Sequence, residues 1–144
     1  KENNKDFKIT DLKMTRFNIL MRDAISLIMW SIENLKGGEV VIPKLKSIKI
    51  IELAKAIKKD AKLKIIGARP GEKIHEELLS YSDSFNAYNY KNHYLLIPEN
   101  LKKKYYSRIK LKKINKNFSY NSEKNIFLSI KEIQKILLNN SYLD

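Results

Sequence analysis

Between Asn18 and Ala68 the apolar residues switch period repeatedly, and this alternation constrains the fold more than any other feature of the chain. From Asn18 to Lys36, the residues Leu20, Ala24, Ile25, Ile28, Ile32 and Leu35 recur at helical spacing and predict a long amphipathic helix. Gly37-Gly38 ends it, because the residue just past a helix commonly needs positive φ, and Glu39 to Pro43 then reads as a buried strand. Ile50, Leu53, Ala54 and Ile57 again share one helical face, predicting a second helix from about Ile50 to Ala61, followed by a strand over Lys64 to Ala68. Strand and helix in alternation predict an α/β fold.

The flanking segments are less regular. Phe7 to Phe17 has no clean period and reads as a loop carrying a brief strand around Met14 to Phe17. Arg69-Pro70-Gly71 is a turn tripeptide, after which Glu72 to Ser80 reads as a further helix with Ile74, Leu78 and Leu79 inward. The Tyr-rich stretch Ser80 to Lys91 reads as a loop or irregular hairpin arm, His93 to Pro98 as a strand, and Leu101 to Lys116 as a solvated loop or edge element. Ser129 and Glu132 form a capping box that opens a last helix over Ile130 to Leu138, with Ile130, Ile133, Ile136 and Leu137 buried. The expected organisation is one domain over 1–144. Within it, 1–17 is an opening loop with a substrate-facing arginine, 18–80 the alternating α/β part, 81–128 an irregular Tyr- and Lys-rich part, and 129–144 the C-terminal helix.

With 144 residues of which 43% are hydrophobic, the chain can bury a core. The absence of cysteine excludes disulfide and thiolate chemistry, and the two histidines leave any metal site resting mostly on carboxylates. The longest apolar stretch, Ile25 to Trp30, is broken by Ser26 and falls far short of the roughly 20 residues that span a bilayer, so the chain reads as soluble and cytoplasmic. It opens on lysine rather than methionine and reads as a processed or excised piece. A net charge of +13 points towards nucleic acid or an anionic membrane. Yet only Arg16, Arg22, Arg69 and Arg108 of the 29 basic residues are arginine, the side chain that reads bases and clamps phosphates bidentately. The wealth of Lys, Asn and Ile fits codons biased towards A and T. The basic tract Lys102 to Lys116, interleaved with Tyr105 and Tyr106, lacks any RNP-like, KH or helix-turn-helix pattern and reads as a solvated surface.

Two segments carry candidate chemistry. In Met14 to Phe17, MTRF, Arg16 sits in a short extended stretch before a long helix, flanked by residues that would anchor it, and is suited to a fixed anion such as phosphate, although an ordinary surface arginine has the same local sequence. In Ile65 to Ser80, IIGARPGEKIHEELLS, Arg69 lies at the carboxyl end of a strand, where ligands collect in open α/β sheets, and Glu72 opens the next element. Glu72 is placed either to accept from a sugar hydroxyl or to satisfy a helix terminus, the latter worth about 0.3–1 kcal/mol. His75 is a candidate general base that needs a partner and a cleft, and Glu76 and Glu77 read as a solvated helix face. Tyr81, Tyr88, Tyr90 and Tyr94 can stack on a base or sugar, though such residues are more often half-buried packing. Arg22 and Arg108 read as solvated. There is no glycine-rich dinucleotide loop, P-loop or G-x-S-x-G.

The strings TDLKMTRFNI, GGEVVIPKLKSIKIIELAKAI, KIIGARPGEKIHEELLS and FSYNSEKNIFLSIKEIQKIL, in this order, resemble the C-terminal half of the inverting UDP-N-acetylglucosamine 4,6-dehydratases of pseudaminic-acid and related polysaccharide biosynthesis. That family belongs to the extended short-chain dehydrogenase/reductases, and the resemblance runs from about Ile9 to Leu138. It implies an N-terminal Rossmann domain, absent from this chain, that binds NADP and carries a catalytic Tyr-x-x-x-Lys, together with a C-terminal substrate-binding lobe, which is the part present. It further implies that Arg16 and Arg69 bind the UDP diphosphate, that Glu72 contacts the ribose, that no catalytic or cofactor-binding residue lies here, and that the fragment alone is inactive. The implied reaction oxidises C4, removes water across C5 and C6, and returns hydride to C6 with inversion at C5. The implied partners are a UDP-sugar, the chain's own N-terminal Rossmann domain and further copies in a homo-oligomer; the short apolar stretches speak against a membrane and the scarcity of arginine against nucleic acid. Where relatives tend to place Thr or Asp as cap of the second helix this chain has Ile51, and Ala68 replaces a larger apolar residue. A sibling UDP-sugar dehydratase or epimerase, and a non-enzymatic basic module binding RNA or acidic lipid, are the alternative readings.

Overall fold

Gly37 and Gly38 stand at φ 104° and 91° just past the first helix, in a computed structural model that describes residues 6–101 and 111–140. In chain order the elements are β1 (Phe7–Ile9), β2 (Thr15–Phe17), α1 (Met21–Asn34), β3 (Val40–Pro43), β4 (Ser47–Lys49), α2 (Ile50–Ile57) and β5 (Leu63–Ile65). Then come β6 (Glu77–Leu79), β7 (Ala87–Tyr90), β8 (His93–Leu96), β9 (Lys112–Lys113), β10 (Tyr120–Asn121) and α3 (Ile130–Asn139). Two units interleave along the sequence: the first takes Lys1–Asn18, Lys46–Glu76 and Ser122–Asp144, the second Ile19–Leu45 and Glu77–Asn121.

In the first unit, β1 pairs in parallel with β5, and β2 pairs antiparallel with β4. The strand expected at Lys64 to Ala68 therefore sits earlier, and Phe7–Ile9, expected as loop, is its partner; three residues are too few for a period to show. The start of α2 is satisfied from outside the helix, since the Ile50 amide donates to the Met14 carbonyl at 3.0 Å. Lys49 occupies the N-cap position, so Ile51, expected as the cap, lies inside the first turn. The helix stops at Ile57 rather than Ala61, because Lys58-Lys59-Asp60 offers nothing apolar to continue its buried face. That face meets α3: Ile48, Ala56, Leu128 and Ile133 form a core ringed by Leu53, Ile130, Ile136 and Leu137. Burying a side chain the size of Ile133 is worth about 1.5–3 kcal/mol. The capping box is present, with the Glu132 amide donating to Ser129 Oγ at 3.3 Å and the Ser129 amide to Glu132 Oε2 at 2.8 Å. Lys46 Nζ donates to Glu132 Oε1 at 2.7 Å, and this bond, ahead of those from Ser129, holds the carboxyl at about 2.

In the second unit, β3, β8, β7 and β9 form a four-stranded antiparallel sheet in that order. Tyr88, Leu95 and Ile97 are its core, covered by Trp30, Leu35, Val41, Tyr90, Leu101 and Leu111. Tyr88 and Tyr90 thus serve packing, and Tyr94 packs tilted against Phe118 and edge-on against Tyr120, with ring centroids 5.4 and 5.2 Å away, whereas Tyr81 is exposed beside Phe85. The charge run supplies β9, a lysine-bearing edge strand of the kind that discourages further pairing. Residues 102–110 of that tract, Arg108 among them, lie outside the described residues. The expectation of a helix over Glu72 to Ser80 is overturned: Glu77–Leu79 is strand β6, paired antiparallel with β10. A partner about forty residues away outweighs the helical spacing of Ile74 and Leu78, and Leu79 is fully buried while Leu78 is exposed, as alternation in a strand requires. Helix α1 has no buried residue; Met21, Ile25, Ile28, Met29 and Ile32 are each more than half exposed and line one stripe. No helix among the described residues is long and apolar enough to cross a membrane.

Candidate ligand-binding site

The site is built from β2 and the turn that follows β5, all within the first unit. The Glu72 amide donates to the Arg69 carbonyl at 2.9 Å, closing a four-residue turn with Pro70 second and Gly71 third. Gly71 has φ 79°, the value a type II turn requires at that position, and proline pre-sets the residue before it. The Glu72 side chain folds back over the turn: Oε2 accepts from the Arg69 amide at 3.1 Å and Oε1 from Thr10 Oγ1 at 3.2 Å. Arg16 reaches the same carboxylate, with Nη2 3.8 Å from Oε1. Glu72 therefore joins Arg16, the Arg69 backbone and Thr10, while the Arg69 side chain extends into solvent.

Arg16 is held on one side and loose on the other. Its Nη1 donates to the carbonyls of Thr15 at 2.8 Å and Ile74 at 3.1 Å. Its Nε lies 3.7 Å from Glu76 Oε1, and Glu76 Oε2 accepts from the Phe17 amide at 2.7 Å. Both carboxylate distances exceed the roughly 2.7–2.9 Å of a charge-assisted hydrogen bond, so these are ion pairs of the weak, partly solvated kind. The Arg16 side chain is about a quarter exposed, at 26%.

The resemblance implies that Arg16, Arg69 and Glu72 hold one ligand; the structure brings Arg16 to Glu72 directly, and Arg69 through its backbone amide. Glu72 does not open a helix, so the helix-terminus alternative for it falls. Glu76, expected on a solvated helix face, instead pairs with Arg16 and tethers Phe17, whereas Glu77 is exposed. His75 has partners on both ring nitrogens, Thr15 Oγ1 at 2.8 Å from Nδ1 and Glu123 at 3.6 Å from Nε2, which leaves it occupied rather than poised as a general base. Thr10 was missed, as its only signal is a contact 62 residues along the chain. Arg22 stands apart, exposed beside Asp23 at 3.7 Å.

An α/β lobe with an arginine strand beside a Pro-Gly turn at a strand's carboxyl end is of the extended short-chain dehydrogenase/reductase type. The chain belongs to the polysaccharide biosynthesis protein family, whose model matches residues 1–98. It is 38% identical, over 94% of its length, to a UDP-N-acetylglucosamine 4,6-dehydratase (inverting) of Campylobacter jejuni serotype O:2, and covers 43% of that relative. A UDP-glucose 4-epimerase of Rickettsia bellii is 31% identical over 97% of the chain, which spans 43% of it. Among solved structures, Pen from Bacillus thuringiensis superposes with a TM-score of 0.82 at 26% identity, over 99% of this chain and 42% of that one. The chain thus spans under half the length of the relatives it matches.

Proposed function

We propose that this chain is the nucleotide-sugar-binding part of a longer inverting UDP-N-acetylglucosamine 4,6-dehydratase acting in bacterial surface-polysaccharide or pseudaminic-acid synthesis. Arg16 and Arg69 bind the diphosphate, and Glu72 takes the ribose hydroxyls. The observation that carries this reading is the position of the Glu72 carboxylate, which links Arg16 to the Arg69 turn. Because the Arg16 pairs with Glu72 at Nη2 and Glu76 at Nε are long and Nη1 is already held elsewhere, a diphosphate replaces these carboxylates without reorienting the guanidinium, and frees Glu72 for the sugar. The four glycines here form no dinucleotide-binding turn, so NADP, the catalytic residues and the hydride chemistry they supply belong to the remainder of the enzyme, and this part alone is inactive. Action on the substrate in the cytoplasm, as a homo-oligomer, belongs to the same proposal.

Calorimetric titration with UDP-N-acetylglucosamine tests it. Arg16→Ala and Arg69→Ala should each weaken binding by about 10- to 100-fold, the worth of a charge-assisted hydrogen bond. Arg→Lys should restore only part, since the planar fork is lost. Arg22→Ala should be silent. Equal weakening in all three alanine variants would mean that the charge acts as a diffuse field, and would overturn the clamp.

A further inference from the structure

We propose that His75 is a positioning residue for Arg16, acting through a one-way chain of hydrogen bonds that sets the start of β2. This rests on Arg16 being a ligand-binding residue, as proposed above. The chain's direction is part of the proposal, because only its first member has a fixed role and each hydroxyl can donate or accept. The Glu76 backbone N–H can only donate, and it donates to Ser122 Oγ at 2.8 Å. In the proposed direction Ser122 gives its own hydrogen to Thr15 Oγ1 at 2.7 Å rather than to the Thr15 carbonyl, which lies farther away at 3.3 Å. Thr15, having accepted, gives its hydroxyl hydrogen to His75 Nδ1 at 2.8 Å. This direction leaves Nδ1 bare and the proton on Nε2, the nitrogen that faces the Glu123 carboxylate at 3.6 Å. Along this direction each hydroxyl accepts once and donates once, the condition under which such a chain reinforces itself.

The chain ends where Arg16 begins. Thr15 and Ser122 are buried, at 3% and 0% exposure, so water does not compete for their hydroxyls. The Thr15 amide donates to the Ile74 carbonyl at 3.0 Å, and Arg16 Nη1 bonds to both the Thr15 and Ile74 carbonyls. Those carbonyls belong to the residue that receives the chain and to the neighbour of the histidine that terminates it. Displacing His75 from Thr15 shifts the pair of acceptors that aims the guanidinium.

The test combines a spectroscopic and a binding readout on the same protein. Nitrogen–proton correlation spectra of the imidazole should show His75 as the Nε2–H tautomer; with only two histidines in the chain, comparison with His75→Gln assigns it. In UDP-N-acetylglucosamine titrations, His75→Asn, whose amide oxygen falls where Nδ1 was, should bind within about threefold of wild type. His75→Gln and His75→Ala should lose about tenfold, the cost of one buried hydrogen bond. A merely structural role would not separate asparagine from glutamine. Should the alanine variant fail to fold, the asparagine and glutamine pair still decides. An Nδ1–H tautomer, or asparagine and glutamine variants that bind alike, overturns the positioning role. If wild type binds and every His75 variant binds equally, this inference fails while the site reading stands; if wild type does not bind the UDP-sugar, the site reading fails and takes this role with it.

Discussion

The Nη1 hydrogens of Arg16 go to two backbone carbonyls, so the guanidinium is oriented without help from the carboxylates opposite. What Glu72 contributes next to it is negative charge, and that charge opposes an incoming phosphate. Glu72→Gln should therefore tighten binding of inorganic pyrophosphate, a probe without ribose, by roughly two- to fivefold, as expected for removing one like charge near a partly solvated site. UDP should gain less or weaken, because the amide is a poorer acceptor for the ribose hydroxyls. Calorimetry with both ligands checks this, and unchanged pyrophosphate affinity would place the anion away from Glu72. The same residues show what was legible in advance. Arg69-Pro70-Gly71-Glu72 is local turn chemistry and reads directly from the sequence. The tethers Thr10–Glu72 and Phe17–Glu76 join residues 62 and 59 positions apart, a distance across which neither composition nor period carries any signal.

Among the elements, the turn that presents Arg69 depends on a single backbone angle. A Cβ at Gly71 would meet nothing within 4 Å, so the cost of Gly71→Ala comes from φ 79° alone, about 1 kcal/mol, visible as a lowered unfolding midpoint. At α3, Glu132 gives a pH signature. Its folded value of about 2 lies below the ordinary 4.5, so the stability it contributes is complete above 4.5 and is lost as pH falls from there towards 2. Acid unfolding followed by circular dichroism should show this loss, and Glu132→Gln should flatten that part of the curve. A variant with the wild-type slope would refute the linkage. Ser129-x-x-Glu132 announces α3 because a capping box is complete within one turn. The segment after Gly71 misled for the opposite reason: Leu78 and Leu79 suit a helix as well as a strand, and the choice was made by Tyr120 and Asn121, far along the chain.

At the scale of the whole molecule, the net charge of +13 and the site make different claims on a ligand. Thermal-shift series at about 50 and 500 mM salt separate them, because polyanion binding falls steeply with salt whereas a directed clamp responds less. UDP-N-acetylglucosamine should raise the unfolding temperature in both conditions, and heparin in the lower one only. A heparin response at both, with none from the UDP-sugar, would favour a nucleic-acid module. The interleaving of the two units also sets an order in time. The stretches of the second unit, Ile19–Leu45 and Glu77–Asn121, are enclosed within the span of the first, whose last stretch begins at Ser122. On the ribosome the chain emerges N-terminus first, so Ser122 follows its partner Glu76 by 46 residues, roughly 2–9 s at about 5–20 residues per second. During that interval the Thr15 hydroxyl has no Ser122 to bond with, and Ala56 has no Ile133 to pack against. The last stretch of the second unit ends at Asn121, immediately before Ser122, so the strand that carries Arg16 stays unbraced until the second unit has emerged in full.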